Sequence, residues 1–203
     1  MPVIAITGMF CGGKTTVLSM LKKKGARVFN IDTRVHAYYK DRTQEVYLKV
    51  RRRFPEVLTR QHAISRSKLR ATVLKNKRNL RILERIVHPY VIKDLTRWSK
   101  ESKKKSGVYV AEVPLLFQKG LGHLFQKIIV VRASKLIVVR RIAKRFHVSP
   151  REARRLGALF YSQKMRKGDD TYLVINNGSR GALKKRVDSL WKEITHKKYS
   201  FMH

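Results

Sequence analysis

Short apolar segments alternate with longer stretches of helical periodicity along this chain. Val3–Thr7 is an apolar, β-branched run that is typical of a buried strand. Thr15–Lys24 has helical spacing and ends before Gly25, a residue type that commonly follows a helix. Ala26–Ile31 again has the character of a strand. Strands and helices that alternate in this way predict a parallel sheet with crossover helices.

The middle of the chain is helical and basic over a long stretch. Helical periodicity runs from about Thr43 to Lys105. Asn76 is a candidate helix-capping residue, and His88-Pro89 is expected to break the run and to start a new helix. We therefore expect a helical region between the second and third strands.

The alternation of strands and helices resumes after this region. Further strands are predicted at Gly107–Val113, Lys127–Val131 and Thr171–Ile175. Helices are predicted from about Ser134 to Phe146 and from the capping-box sequence Ser149–Glu152 onward. The pattern indicates an α/β fold with five strands. The last helix is expected to pack on the sheet through one apolar stripe, formed by Leu183, Val187, Leu190, Trp191 and Ile194.

Composition excludes several classes of protein. Among 203 residues, 48 are Lys or Arg and 13 are Asp or Glu, so the net charge is +35. A disordered basic tail is excluded, because 43% of the residues are hydrophobic and the basic residues are spread along the chain. The single cysteine, Cys11, excludes an internal disulfide framework and fits a reducing compartment. Taken alone, the charge favours a binder of nucleic acid.

The sequence also argues against a membrane location. No apolar run approaches the roughly 20 residues that a membrane-spanning helix needs. The first residues lack the basic segment of a signal peptide and lead directly into a motif. We therefore expect a cytoplasmic protein without a membrane partner.

A phosphate-binding motif lies between the first strand and the first helix. Residues 8–15 match G-x-x-x-x-G-K-[ST], with a predicted strand before them and a helix after them. Glycines allow successive backbone N–H groups to face one anion, and the helix start adds partial positive charge. Lys14 is expected to bridge the β- and γ-phosphates of ATP, and the Thr15 hydroxyl is expected to ligate Mg²⁺. The expected nucleotide-binding residues of this loop are Gly8, Cys11, Gly12, Gly13, Lys14, Thr15 and Thr16.

Two of the few acidic residues, Asp32 and Glu112, are candidate site residues because they lie near the carboxyl ends of predicted strands. Ligands of parallel α/β sheets bind at those ends. Asp32 follows the second strand, where it would accept or orient the proton of an attacking hydroxyl, or cap the next helix. His36 shares a helical face with Asp32 and would orient it or pack. Glu112, near the end of the third strand, needs a partner. The candidate partners of Glu112 are Mg²⁺ bound through water, Lys14, a group of the acceptor substrate and an arginine.

Most arginines in such a composition are solvated surface charges. Phosphoryl transfer nevertheless needs cations around the moving group, and a hinged lid that carries arginines supplies them and excludes water. Arg141 and Arg145 are four residues apart and share one helical face. Arg66 and Arg70 have the same spacing in the helical region.

These segments together resemble the dephospho-CoA kinase family over about Val3 to Trp191. The phosphate loop is generic, whereas the Pro-Leu-Leu-Phe and His-Pro elements in this order make the resemblance specific. The matching segments are Thr7–Thr16, Asn30–His36, Arg66–Arg70, Leu83–Pro89, Pro114–Phe117, Ala133-Ser134, Arg141–Arg145 and Asn176–Gly178.

Departures from the family pattern mostly remove acids. Asn30 stands where many members have an Asp, which leaves Asp32 as the only carboxylate of that motif. Glu112 stands where Asp is frequent. The family has a site arginine shortly after the position of Ala153. Either Arg154 or Arg155 could correspond to it, and the sequence does not decide between them. We interpret the remaining basic excess as a compositional bias that also steers anionic substrates.

The resemblance implies a three-layer P-loop fold with a five-stranded parallel sheet, in a single domain over 1–203. It implies a core at 1–32, 107–133 and 171–195, a helical acceptor-binding region at 33–106 and a lid at 134–165.

The resemblance further implies transfer of the ATP γ-phosphate to the ribose 3′-hydroxyl of dephospho-CoA, with Mg²⁺. Asp32 would be base or orienter, Arg141 and Arg145 would close over the transferring group, and Asn176 would lie near the adenine. Acceptor binding would involve Asp32, His36, Arg66, Arg70, His88, Glu112 and Leu115. For His88, packing at a helix start beside Pro89 is an equal alternative.

Two other functions stay open from the sequence. One is a P-loop kinase that acts on another nucleoside, nucleotide or polynucleotide acceptor. The other is a basic RNA-binding protein that retains a P-loop, although nucleic-acid binding through net charge would be non-specific. The oligomeric state is left open.

Overall fold

Five strands form one parallel sheet in the order β2-β3-β1-β4-β5. The computed structural model describes residues 2–159 and 170–196. Its strands are β1 Val3–Gly8, β2 Arg27–Asn30, β3 Tyr109–Glu112, β4 Lys127–Arg132 and β5 Thr171–Ile175. The predicted α/β fold with a five-stranded parallel sheet is confirmed.

Eight α-helices accompany the sheet within the described residues. They are α1 Lys14–Lys23, α2 Ile31–Lys40, α3 Glu45–Arg53, α4 Arg66–Lys75, α5 Lys77–Lys103, α6 Lys135–Phe146, α7 Pro150–Leu159 and α8 Arg180–His196. Short 3₁₀ helices occupy Pro55–Val57 and Leu121–Leu124.

Helices α1 and α8 cover one face of the sheet. Ile4 and Ile6 of β1 are fully buried in the same apolar cluster as Leu21 of α1 and Val187 of α8. Side chains two apart on a strand point to the same face, which explains why alternate positions of β1 share this cluster. The predicted stripe of α8 is confirmed, since Leu183, Val187, Leu190 and Ile194 are buried there and Trp191 packs against them.

Several predicted helix starts are confirmed by their capping bonds. The Ser134 hydroxyl accepts from the Ile137 N–H at 3.4 Å, and the Ser149 hydroxyl accepts from the Glu152 N–H at 3.2 Å. The Asn76 side chain accepts from the Arg78 N–H at 2.8 Å, at the start of α5. These bonds satisfy backbone N–H groups that a helix start leaves without a partner inside the helix.

The prediction for the middle of the chain was wrong in two places. Helical structure is interrupted between α3 and α4, where the periodicity from about Thr43 to Lys105 predicted no break. Pro89 lies inside α5 and does not start a helix. A proline removes one backbone N–H bond to the preceding turn, and tertiary packing of the flanking Val87 and Val91, both buried, keeps the helix continuous.

The chain divides into two compact units. One is made of the described residues up to Phe29 and from Ser99 onward, and the other is Asn30–Trp98. The second unit has its own core, in which Tyr47 and Phe54 are almost completely buried. The subregion boundaries expected from the resemblance stay a prediction, and residues 160–165 of the expected lid lie outside the described residues.

Within the described part of the chain, no helix combines the length and the apolar character that crossing a bilayer requires.

Candidate active site

The phosphate loop joins β1 to α1 in a conformation that requires glycine at two positions. Gly8 has φ 135° and Gly13 has φ 103°, values that side chains rarely tolerate. A Cβ on Gly8 would lie 2.1 Å from the Val131 carbonyl oxygen of β4. A Cβ on Gly13 would lie 2.1 Å from Nδ2 of Asn176. The motif glycines therefore permit both the backbone turn and the close approach of the neighbouring strand end.

Lys14 is the first residue of α1, and its side chain is hydrogen-bonded to the backbone of the phosphate loop. Its side chain is buried, and Nζ donates to the Gly8 carbonyl at 3.1 Å and to the Met9 carbonyl at 2.8 Å. A buried ammonium must be hydrogen-bonded, and these carbonyls meet that requirement. The charge of Lys14 is thus fixed at the loop that is expected to receive phosphates.

Thr15 meets the acid at the end of β3. The Thr15 hydroxyl lies 3.1 Å from Oε2 and 3.3 Å from Oε1 of Glu112. A hydroxyl that donates to a carboxylate keeps its lone pairs for a cation. Hydroxyl and carboxylate oxygens are the ligand types that Mg²⁺ prefers. The residues present therefore fit the expected metal, and this Thr15 contact was not among the partners considered for Glu112 from sequence.

Arg141 and Asn176 converge on the other side of the loop. Arg141 donates from Nη1 to the Gly12 carbonyl at 3.2 Å and from Nη2 to the carbonyl and Oδ1 of Asn176 at 3.1 and 3.3 Å. Asn176 is buried, and its Nδ2 donates to the same Gly12 carbonyl at 2.9 Å. The structure thus brings together two residues that are 35 positions apart, at the backbone of the phosphate loop.

A second contact joins the loop to α6. The rings of Phe10 and Phe146 stack with centroids 5.8 Å apart. Cys11 is half-buried between its neighbours with φ 53°, and it packs against the apolar cluster that contains Met9 and Ile142. These contacts support the interpretation of Cys11 as a small loop residue.

The remaining predicted residues of the first unit are placed as follows. Arg145 lies four residues beyond Arg141 on α6 and is exposed, with its guanidinium 5.7 Å from the Phe146 ring centroid. Thr16 is half-buried in the first turn of α1. Leu115 is half-buried in the turn after β3, where its carbonyl accepts from the Lys119 N–H at 3.1 Å. Arg154 and Arg155 are both exposed on α7.

Asp32 lies in the second unit, and the structure excludes one of the two explanations offered for it. The cap of α2 is Asn30, whose Oδ1 accepts from the Thr33 N–H at 3.1 Å. Asp32 lies in the first turn of α2 with an exposed side chain, so the helix-cap alternative for Asp32 was wrong. His36 is half-buried one turn later on the same helix.

Arg66, Arg70 and His88 lie on two other helices of the second unit. Arg66 and Arg70 are exposed on α4, one turn apart. Burial raises the pKa of Tyr39 to about 12, although the charge of Arg66 acts in the opposite direction. His88 is half-buried inside α5, so its packing at a helix start, the sequence-based alternative, was wrong.

One residue of the first unit was missed by the sequence interpretation. Asn177 accepts from the Ser134 N–H at 2.7 Å through Oδ1, which ties the loop after β5 to the start of α6. An Asn pair after a strand predicts a turn. Its partner 43 residues away becomes visible only when β4 and β5 are paired.

Comparison with known proteins identifies the family. Residues 2–181 match the family model of dephospho-CoA kinase. Dephospho-CoA kinase of Geobacillus kaustophilus is 31% identical over 195 residues, covering 94% of this chain and 95% of that protein. The enzyme of Aquifex aeolicus is 30% identical over 194 residues, covering 95% and 97%.

Solved structures agree on the fold. A crystal structure from Thermus thermophilus is 27% identical, has a TM-score of 0.67 and covers 95% of this chain and 97% of that one. A dephospho-CoA kinase from Campylobacter jejuni, 21% identical, has a TM-score of 0.66, with 96% and 98% covered. A match over most of the chain, together with the phosphate-loop geometry, shows that this chain belongs to the dephospho-CoA kinase family.

Proposed function

We propose that this chain transfers the γ-phosphate of ATP to the ribose 3′-hydroxyl of dephospho-CoA, giving CoA and ADP, the last step of coenzyme A biosynthesis. The observation that carries this proposal is the phosphate loop of a family member in which Lys14, Thr15 and Glu112 already lie together. Phosphoryl transfer needs mainly positioning and charge stabilisation, which such a loop supplies.

The phosphate loop binds the nucleotide in this proposal. Backbone N–H groups of the loop and the Lys14 ammonium bind the β- and γ-phosphates of ATP. Thr15 would ligate Mg²⁺ directly, and Glu112 would hold it through water. The bound cation would neutralise the charge that develops on the phosphate oxygens.

Asp32 receives the acceptor hydroxyl. A carboxylate within hydrogen-bond reach of the 3′-hydroxyl either takes its proton or orients it for in-line attack. Support comes from the cap of α2, because Asn30 supplies it and the exposed Asp32 carboxylate is not needed there. The 3′-oxygen forms a bond to the γ-phosphorus while the bond from that phosphorus to the bridging oxygen of ADP breaks, and the hydroxyl proton goes to the Asp32 carboxylate or to solvent.

The acceptor site in this proposal consists mostly of basic side chains. We assign Arg66, Arg70, His36, His88 and Leu115 to the dephospho-CoA site. The pyrophosphate of that substrate is an anion that an arginine binds through parallel hydrogen bonds. The assignment of Arg66 and Arg70 is supported by their exposure and by their spacing on one face of α4.

Arg141 and Arg145 are assigned to the transferring group. Both lie on α6, the first helix of the proposed lid. Positive charge near the equatorial oxygens stabilises the transition state, and closure of a lid would limit ATP hydrolysis by excluding water.

A coupled assay of ADP release tests the proposed acceptor. With ATP and Mg²⁺ present, dephospho-CoA should stimulate ADP release strongly, and adenosine, other nucleosides or a 5′-hydroxyl oligonucleotide should not. The matched control is CoA itself, which has the same shape but carries a phosphate at the reacting hydroxyl. Stimulation by a nucleoside or an oligonucleotide, and none by dephospho-CoA, would show that the chain phosphorylates another acceptor.

The proposal extends to the cellular location of the protein and to its binding of nucleic acid. We place the chain in the cytoplasm, since its substrates and its single cysteine fit a reducing compartment. Binding to nucleic acid would be non-specific and would arise from the net charge of +35. Its affinity for unrelated RNA sequences should then be equal and should fall linearly on a log–log plot against salt. A marked preference for one sequence would contradict this.

A further inference from the structure

The peptide unit between Gly12 and Gly13 needs a partner outside the loop to fix its orientation. Glycine accepts positive and negative φ about equally, so a peptide between two glycines can turn over at little energetic expense. In a trans peptide the C=O and the next N–H point in opposite directions, and none of the described peptide bonds is cis. Turning this unit over would replace a donor that faces the phosphates with a carbonyl that repels them.

The Gly12 carbonyl is held by two side chains. Nδ2 of Asn176 donates to it at 2.9 Å, and Nη1 of Arg141 donates to it at 3.2 Å. The amide orientation of Asn176 is fixed by its partners. Arg141 can only donate, so Oδ1 of Asn176 faces Arg141, and a carbonyl can only accept, so Nδ2 faces Gly12.

Burial and fit make this contact specific. Asn176 is 5% exposed, so its amide cannot exchange the Gly12 carbonyl for water without loss. A Cβ on Gly13 would collide with Nδ2 of Asn176, which shows how closely the amide lies against this peptide unit. The backbone of Asn176 is itself fixed to the sheet, because its N–H donates to the Arg132 carbonyl of β4 at 2.7 Å.

We infer that Asn176 is a positioning residue for the phosphate loop. Together with Arg141 it holds the Gly12 carbonyl away from the nucleotide, and the Gly13 N–H therefore faces the phosphates before ATP binds. This role differs from a contact with adenine, which the resemblance alone suggests for Asn176. It rests on the proposed use of the phosphate loop to bind ATP.

Ligands that carry only one half of ATP separate the two roles. Tripolyphosphate occupies a phosphate cradle without a base, and adenosine occupies a base site without phosphates. In Asn176→Asp the donor to Gly12 is lost while an acceptor for Arg141 remains. Affinity for tripolyphosphate and for ATP should fall about tenfold, the change expected for one buried hydrogen bond, and affinity for adenosine should not change. KM for ATP should rise with KM for dephospho-CoA unchanged.

Asn177→Asp is the matched control. It introduces the same charge one position away and keeps the oxygen that accepts from Ser134. This variant should bind tripolyphosphate like the unmodified chain. If Asn176→Asp does not fold, as judged by circular dichroism, Asn176→Ser replaces it. Asn176→Ser removes the Nδ2 donor to the Gly12 carbonyl without adding a charge and leaves Arg141 in place, so it should weaken tripolyphosphate binding several-fold in the same way.

Other outcomes would overturn the inference. Weaker adenosine binding with unchanged tripolyphosphate binding would make Asn176 an adenine contact. Equal losses for both ligands, an equal loss in Asn177→Asp, or no loss at all would each remove the positioning role. If the unmodified chain bound neither ATP nor tripolyphosphate, the proposed nucleotide loop would be wrong and this inference with it.

Discussion

The Thr15 hydroxyl lies 3.1 Å from Oε2 of Glu112, which joins the first turn of α1 to the end of β3. Glu112 is the last residue of β3, and the loop that leads to Thr15 follows the carboxyl end of β1, the strand that pairs with β3. The sequence separates them by 97 positions. Their contact places a hydroxyl and a carboxylate side by side, and both are oxygen ligands of the kind that the proposed Mg²⁺ would take.

Glu112→Gln should weaken the use of Mg²⁺. Glutamine keeps the size of the side chain and an acceptor for Thr15 but removes the charge. The Mg²⁺ concentration for half-maximal rate should rise about tenfold, because hydrogen bonds to charged groups contribute about 1.5–3 kcal/mol. Titration of the rate with Mg²⁺ measures this. Glu112→Asp and the exposed Glu101→Gln should both resemble the unmodified chain, and an equal shift in Glu101→Gln would assign the effect to net charge.

Asp32→Asn should lower turnover by about 10²–10⁴-fold with little change in ATP binding. Asparagine preserves the shape of the side chain but cannot take a proton from the 3′-hydroxyl. Steady-state kinetics with dephospho-CoA and calorimetric ATP binding separate the two effects. Asp41→Asn, at the other end of α2, is the control, because its carboxylate accepts from the Thr43 N–H and hydroxyl. Normal turnover in Asp32→Asn would exclude a role as base or orienter.

Gly13→Ala should weaken ATP binding by more than tenfold. The variant combines backbone strain of about 1–2 kcal/mol at φ 103° with a Cβ 2.1 Å from the Asn176 amide. Gly25→Ala is a matched control, since Gly25 has φ 101° and no atom within 4 Å of the added Cβ. Thermal unfolding should show destabilisation in both, but only Gly13→Ala should lose ATP affinity. Equal ATP affinity in the two variants would mean that the Asn176 contact has no effect on the loop.

Tyr39 should make the protein less stable in alkaline solution. Burial raises the pKa of the Tyr39 phenol to about 12, above its ordinary value of 10.0. The folded state therefore keeps the phenolic proton at pH values where the unfolded chain releases it, so stability is full below pH 10 and falls as pH rises toward 12. Urea unfolding between pH 8 and pH 12 should show a smaller decline in Tyr39→Phe. An identical decline would show that other groups govern alkaline unfolding.

Potassium chloride should raise the melting temperature. A chain with 48 basic and 13 acidic residues cannot pair most of its positive charges, so self-repulsion opposes folding. Salt reduces the Debye length to about 10 Å at 0.1 M and to about 3 Å at 1 M, which weakens that repulsion. Sucrose at equal osmolality is the control, since it screens no charge. A melting temperature that falls steadily as potassium chloride rises would contradict this expectation.

Helix starts could be predicted from the sequence where a hydrogen bond between near neighbours in the chain determines them. Capping by Ser134, Ser149 and Asn76 was visible because a cap bonds to an N–H two or three residues away. Pro89 was misinterpreted because local chemistry disfavours a mid-helix proline, whereas burial of Val87 and Val91 on both sides outweighs it. Asn30 caps α2, and Asp32 does not, because the helix begins at Ile31, one residue before Asp32.

The family, the order of the strands and the phosphate-binding motif can be predicted from the sequence, because they depend on residue type and spacing along the chain. The three-dimensional fold is needed to see which distant groups meet: Thr15 contacts Glu112, and Asn176 and Arg141 contact the Gly12 carbonyl. These contacts depend on the pairing of strands and on the fit of side chains across the sheet edge. Periodicity carries no information on either, since residues far apart in sequence become neighbours only when the parallel strands are in register.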